Sequence, residues 1–102
     1  MLEHIQLGDK LRPVAFGFAA LRYFEREAGK PFAEVTDTIT DTLTIIWSGL
    51  KDGARREGKE FSATVEDVAD WLDLRPAAMT ELMKIYGESL GNLGSPQTGA
   101  SG

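Results

Sequence analysis

Apolar residues recur along this chain with two different periods, and the switch between them marks its elements. Between His4 and Phe16 the short runs Ile5-Gln6-Leu7 and Leu11-Arg12-Pro13-Val14 flank Gly8-Asp9. This arrangement predicts a β-hairpin over about residues 3–16, because glycine supplies the positive φ that a two-residue turn needs. Pro13 has no amide hydrogen to give to a ladder, so its strand is expected to be an edge or to end there. Two strands alone are marginal in water, and the hairpin must therefore lean on a helix.

From Gly17 the period becomes helical. Ala20, Leu21, Phe24 and Ala28 share one face of a helix that Gly29 and Pro31 close. Phe32 and Val35 anchor a connector, after which the threonines and aspartates of 36–42 offer several caps for the helix that follows. That helix, from Thr38 to about Ala54, is the centre of the predicted fold. Ile39, Leu43, Ile46, Trp47, Leu50 and Ala54 fall within roughly 100° of arc, the width of a core-facing stripe. Gly53 and Gly58 are read as its ending. A third helix starts at a Thr64 cap with Asp67 three residues on, and faces inward through Val65, Val68, Ala69 and Leu72. A fourth opens at Pro76 and carries Met79, Leu82, Met83, Tyr86 and Leu90 on one stripe. Three large apolar residues, Ile45, Trp71 and Ile85, lie off these stripes. They either meet a second neighbour or form an interaction surface.

The expected fold is therefore mainly α, a small orthogonal bundle of about four helices with a short N-terminal β-hairpin. Residues 1–90 form one domain. Residues 91–102, rich in glycine, serine and other small polar residues, are expected to be a flexible tail, since they cannot bury enough surface to offset the entropy of ordering.

Composition narrows the chemistry. The chain has 102 residues and no cysteine, so no disulfide or thiolate metal site is available. No apolar run approaches the ~18 residues that span a bilayer, and Glu3 and Asp9 stand where a signal peptide would be basic and then apolar, so a cytoplasmic protein is expected. Eleven Lys and Arg against 16 Asp and Glu give a net charge of −5, which repels a phosphate backbone unless the cations are segregated. The one basic cluster, Lys51, Arg55, Arg56 and Lys59, gathers at a helix end, whereas a helix-turn-helix would place such residues at the start of a recognition helix. A small DNA-binding regulator using that cluster is the alternative reading, and an enzyme accessory subunit a third. The single histidine, His4, has no partner ligands at metal-site spacing. Glu60, Glu66, Asp67, Asp70 and Asp73 lack the spacing of a calcium loop and read as caps and a solvated face. Phosphate-loop, dinucleotide and nucleophile-elbow signatures are absent, so no catalytic residue, metal or cofactor is assigned.

The order of elements carries a further signal. Ile5-Gln6-Leu7-Gly8-Asp9-Lys10, then Phe16-Gly17-Phe18-Ala19-Ala20-Leu21, the helix ending at Glu25 to Gly29, Leu43-Thr44-Ile45-Ile46-Trp47-Ser48-Gly49-Leu50-Lys51 and Ser62-Ala63-Thr64-Val65-Glu66-Asp67-Val68-Ala69-Asp70-Trp71-Leu72 together resemble the tail assembly chaperones of long-tailed bacteriophages and prophages. The resemblance covers roughly residues 4–74, and its motifs are structural rather than catalytic. It implies a non-enzymatic protein of the bacterial host cytoplasm, absent from the mature virion. Such a protein binds the helical tape measure protein, assists assembly of the tail tube protein around it, and can be a homo-oligomer; no nucleic acid, membrane or small-molecule substrate is implied. Under this reading Trp71, Met79, Met83 and Ile85 are expected to form an apolar groove for a tape measure helix, with Glu66, Asp70 and Asp73 as its acidic rim.

Overall fold

The computed structural model describes residues 2–94. Its elements are β1 (Glu3–Leu7), β2 (Lys10–Val14), α1 (Phe18–Ala28), a 3₁₀ turn (Phe32–Glu34), α2 (Ile39–Arg56), α3 (Val65–Leu74) and α4 (Ala77–Gly94). The architecture is mainly α with an N-terminal antiparallel hairpin, as the periodicity predicts. In the hairpin Leu7 pairs with Lys10 and Glu3 with Val14. Gly8 and Asp9 have φ of 63° and 68°, the two positive angles of a turn whose twist suits the flanking strands. Asp9 tolerates this because a short side chain can bond the local backbone.

Helix ends follow the expected chemistry. Gly29 closes α1 and gives its amide to the Glu25 carbonyl at 2.9 Å. Thr38 is the cap of α2 among the several candidates, accepting the Asp41 amide at 3.2 Å. Thr64 and Asp67 form a reciprocal capping box on α3. The last helix runs through Gly91 to Gly94, so residues 91–94 belong to α4 and not to a tail; the remainder of the expected tail lies outside the described residues.

α2 is central because α1, β2 and α3 all pack on it, while α4 packs on β1 and α3. Three neighbours require a wider buried face than one stripe. Ile45, off the predicted stripe, meets a second neighbour and is 6% exposed, and Ser48, Gly49, Asp52 and Gly53 are buried beside Ile46, Leu50 and Ala54. Ile39, expected in the core, opens the helix and is 69% exposed. Trp47 and Leu43 sit half-buried at the core's edge, and the Trp47 indole N–H donates to the Ala63 carbonyl at 2.8 Å. The buried hydroxyls are satisfied within the helix, since Thr44 donates to the Thr40 carbonyl and Ser48 to the Thr44 carbonyl.

Gly53 does not end α2. A Cβ at that position would collide with the backbone of Pro13 and Val14, and one at Gly49 would occupy the place of the Phe16 ring. Ala15 donates its amide to the Gly49 carbonyl at 3.0 Å, so the chain leaving β2 lies directly on the helix backbone. Phe16 then meets Tyr86 of α4 edge to face, with ring centroids 5.3 Å apart.

At the other end of α2, Asp41 is 4% exposed and accepts from Lys30 Nζ, the Thr36 amide and the Thr36 hydroxyl at 2.8, 2.8 and 2.7 Å. These bonds tie the connector after α1 to the first turn of α2. They hold the Asp41 carboxyl at about 2 against an ordinary 3.8, first through Lys30 and then through Thr36.

Gly53→Ala is expected to lower stability by ~3 kcal/mol or more, because the added methyl meets backbone that cannot repack. Gly87→Ala, on an exposed part of α4 with open space around the site, is expected to raise it by about 0.5–1 kcal/mol through helix propensity. Urea midpoints check both, and equal effects would show that the close approach at Gly53 is not a constraint. A depressed carboxyl stabilises above its unfolded pKa and loses that contribution as pH falls through its folded value. Stability is thus expected to fall between about pH 3.8 and 2 in the parent. In Asp41→Asn this part of the acid limb should be flatter, as pH-dependent melts would reveal.

Candidate partner-binding surface

The seven residues expected to form one apolar groove with an acidic rim are not brought together in one place. Trp71 belongs to the hairpin. The Arg12 guanidinium lies 3.8 Å from its ring centroid, and a Cβ on Gly8 would fall 2.8 Å from the indole. Arg12 in turn donates from Nε to the Leu7 carbonyl at 2.6 Å and from Nη2 to the Gly8 carbonyl at 3.3 Å, clamping the turn over the indole. Burial lowers the Arg12 pKa. Trp71 is therefore the neighbour that the hairpin needs, and not part of a wall shared with Met79.

Ile85 lies three residues beyond the buried Leu82, on the side of α4 that packs against the core, and is half-buried there. Met83 is also half-buried against the core. Arg75, at the corner between α3 and α4, donates to the Gln6 carbonyl at 3.0 Å and pairs with Glu81 at 2.6 Å. That corner is thereby fastened to β1.

Met79 lines an open groove elsewhere. Ile39, Leu43, Ala69, Leu72, Asp73 and Pro76 complete its lining, around a volume of about 370 Å³. Ile39 and Leu43 come from the first turns of α2, Ala69, Leu72 and Asp73 from α3, and Met79 from the start of α4. Glu66, Asp70 and Asp73 are exposed, and their i, i+4, i+7 spacing puts them on one ridge of α3. Asp73 is where that ridge meets the groove. Of the expected site, Met79 and Asp73 thus line one groove, while Ile39 and Leu43 join them from a helix whose face reads as core. Sequence reasoning missed Ile39 because an apolar first residue of an amphipathic helix fits its stripe whether or not a neighbour covers it.

The basic cluster at the far end of α2 is largely engaged. Asp52, wholly buried, accepts from Arg55 at 2.8 and 3.1 Å and from Arg56 at 3.3 Å. Hydrogen bonding to Asp52 and its charge raise the Arg55 pKa. Lys59 pairs with Glu57 at 3.1 Å, and His4 Nε2 lies 2.7 Å from the other Glu57 oxygen. These partners, His4 first, lower the Glu57 pKa. Among the described residues no group of three or more histidine, cysteine, aspartate or glutamate side chains could hold a metal ion, and no helix is long and apolar enough to cross a membrane.

The fold and surface define a small mainly α domain with a helix-lined groove. Comparisons with known protein families, curated proteins and solved structures find no match. The likeness to tail assembly chaperones accordingly rests on the order of residues and elements alone.

Trp71→Ser is expected to lower stability by about 2 kcal/mol, near the value of burying a large apolar side chain, because it uncovers the hairpin turn. A urea melt matching the parent's would mean that the indole contributes nothing to holding the hairpin.

Proposed function

We propose that the protein is a non-enzymatic tail assembly chaperone, of the kind its resemblance implies, and that it holds an amphipathic helix of the tape measure protein in the groove between α2, α3 and α4. One observation carries the reading: Ile39, 69% exposed, lines one groove with Leu43, Ala69, Leu72 and Met79, and Asp73 stands in the same lining. An apolar face so exposed is costly in water unless a partner covers it. Helices from three elements supply a trough into which anchors at i, i+3 and i+4 of a partner helix can lie. Met79 adapts its shape to different anchors, which suits a partner bound at many similar segments along a long helix. The ridge Glu66–Asp70–Asp73 favours partner segments that flank their apolar stripe with Lys or Arg, and acts chiefly on the rate of association. Assistance to the tail tube protein and a homo-oligomeric state belong to the same reading through the resemblance, as does residence in the host cytoplasm.

The regulator reading loses support from the engagement of Arg55 and Arg56 with Asp52 and of Lys59 with Glu57. Of that cluster, Lys51 alone has no carboxylate partner among the described residues. Too few free cations remain there to release many counterions from a duplex.

The test uses Ile39→Glu, which removes the exposed wall of the groove at the first residue of α2, where a carboxylate also suits the helix dipole. Its melt should match or exceed the parent's, while affinity for tape measure fragments falls by about 2 kcal/mol, roughly 30-fold. A folded variant that binds as the parent does would remove the groove from the proposal. Salt-dependent retention of the parent on DNA, without binding to tape measure fragments, would favour the regulator.

A further inference from the structure

A second concave surface lies at the other end of α2 and shares no lining residue with the groove. Lys51 and Arg55, one turn apart on α2, meet Tyr23 of α1 and Lys59 and Phe61 of the segment leading to α3, around an open depression of about 290 Å³. The placement is unusual for this chain. Its net charge is −5, yet four of its eleven Lys and Arg, namely Lys51, Arg55, Arg56 and Lys59, fall within residues 51–59.

Lys51 lies over two rings, with Nζ 5.3 Å from the Tyr23 centroid and 5.5 Å from that of Trp47. Arg55 uses Nε and Nη2 on Asp52, and its Nη1 has no protein partner among the described residues. The side chain of Lys59 is 62% exposed and pairs with Glu57 at 3.1 Å. The depression is thus lined by Tyr23 and Phe61 together with Lys51, which has no carboxylate partner among the described residues, and with Arg55 and Lys59, each already paired with one carboxylate.

We infer that this depression binds an acidic peptide segment of a partner protein, seating one apolar side chain of the segment between Tyr23 and Phe61 while neighbouring carboxylates meet Lys51, Lys59 and Arg55. Two physical points select this ligand. Complementary charge excludes a basic segment. A shallow, open site cannot enclose most of a small molecule's surface as small-ligand pockets do, whereas a peptide needs only one seated anchor and charged flanks. Because the groove draws on the first turns of α2 and the depression on its last, the helix partner and the acidic segment can be held at once.

The experiment uses the full chain and a fluorescently labelled synthetic peptide of alternating Glu and Asp around a central Phe. Anisotropy should report binding at low salt that weakens as salt rises, and amide shifts should centre on Tyr23, Lys51, Arg55, Lys59 and Phe61. Reversing Lys51 and Lys59 together to Glu should weaken binding about tenfold, which is the combined worth of two exposed pairs and the repulsion that replaces them. Ile39→Glu should leave it unchanged. If Lys51→Glu does not fold, Lys51→Gln with Lys59→Glu takes its place, with a smaller loss in the same direction. Absence of binding at low salt, shifts centred elsewhere, an unchanged affinity of the folded double variant, or equal binding of a peptide with Gly in place of Phe would each overturn the inference.

Discussion

The closest constraint in this protein is the passage of the chain from β2 to α1 across the bare backbone of α2. Pro13, Val14 and Phe16 occupy space that Cβ atoms at Gly53 and Gly49 would fill. Glycine within a helix costs roughly 0.5–1 kcal/mol relative to alanine, so two of them in one buried face are sustained by what they admit. They admit a strand at backbone distance, the bond from Ala15 to the Gly49 carbonyl, and the Phe16 ring that reaches Tyr86. The hairpin, which would be marginal alone, thereby becomes part of the core through Ile5, Leu7 and Val14. β1 then offers α4 its packing surface.

Charged groups complete this arrangement at both ends of α2. Asp41 gathers Lys30 and Thr36 and fixes how the chain enters the helix. Asp52 gathers Arg55 and Arg56 beside Gly17 and fixes its exit, next to the start of α1. A buried carboxylate is tolerated only when paired, and these pairs also restrict which neighbours can approach. Two cations that a sequence reader would place at a binding surface, Arg55 and Arg56, are held by Asp52, and the surfaces we propose for partners are the groove at one end of α2 and the depression at the other.

Local order and surface chemistry were decided by the amino-acid sequence itself. The hairpin around Gly8-Asp9, the helix closed by Gly29, the Thr64–Asp67 capping box and the four apolar periods are properties of short segments, and each depends on backbone angles and on neighbours within one turn. The acidic ridge Glu66–Asp70–Asp73 and the nearness of Asp73 to Met79 were legible for the same reason, since helical spacing settles the one and a short corner the other.

Tertiary structure alone decided which face of each helix counted as inside. Ile39 lies on the predicted stripe of α2 and Ile45 off it, yet the first is exposed and the second buried, because α1, β2 and α3 pack on different sides of that helix. Trp71 fell off the stripe of α3 because its partner, the Gly8 turn under Arg12, stands more than sixty positions earlier in the chain. Gly53 looked like a helix ending and proved to be a crossing point for the same reason. Periodicity records how a segment is amphipathic, but what lies against each side depends on contacts between distant segments, and those form only when the whole chain packs.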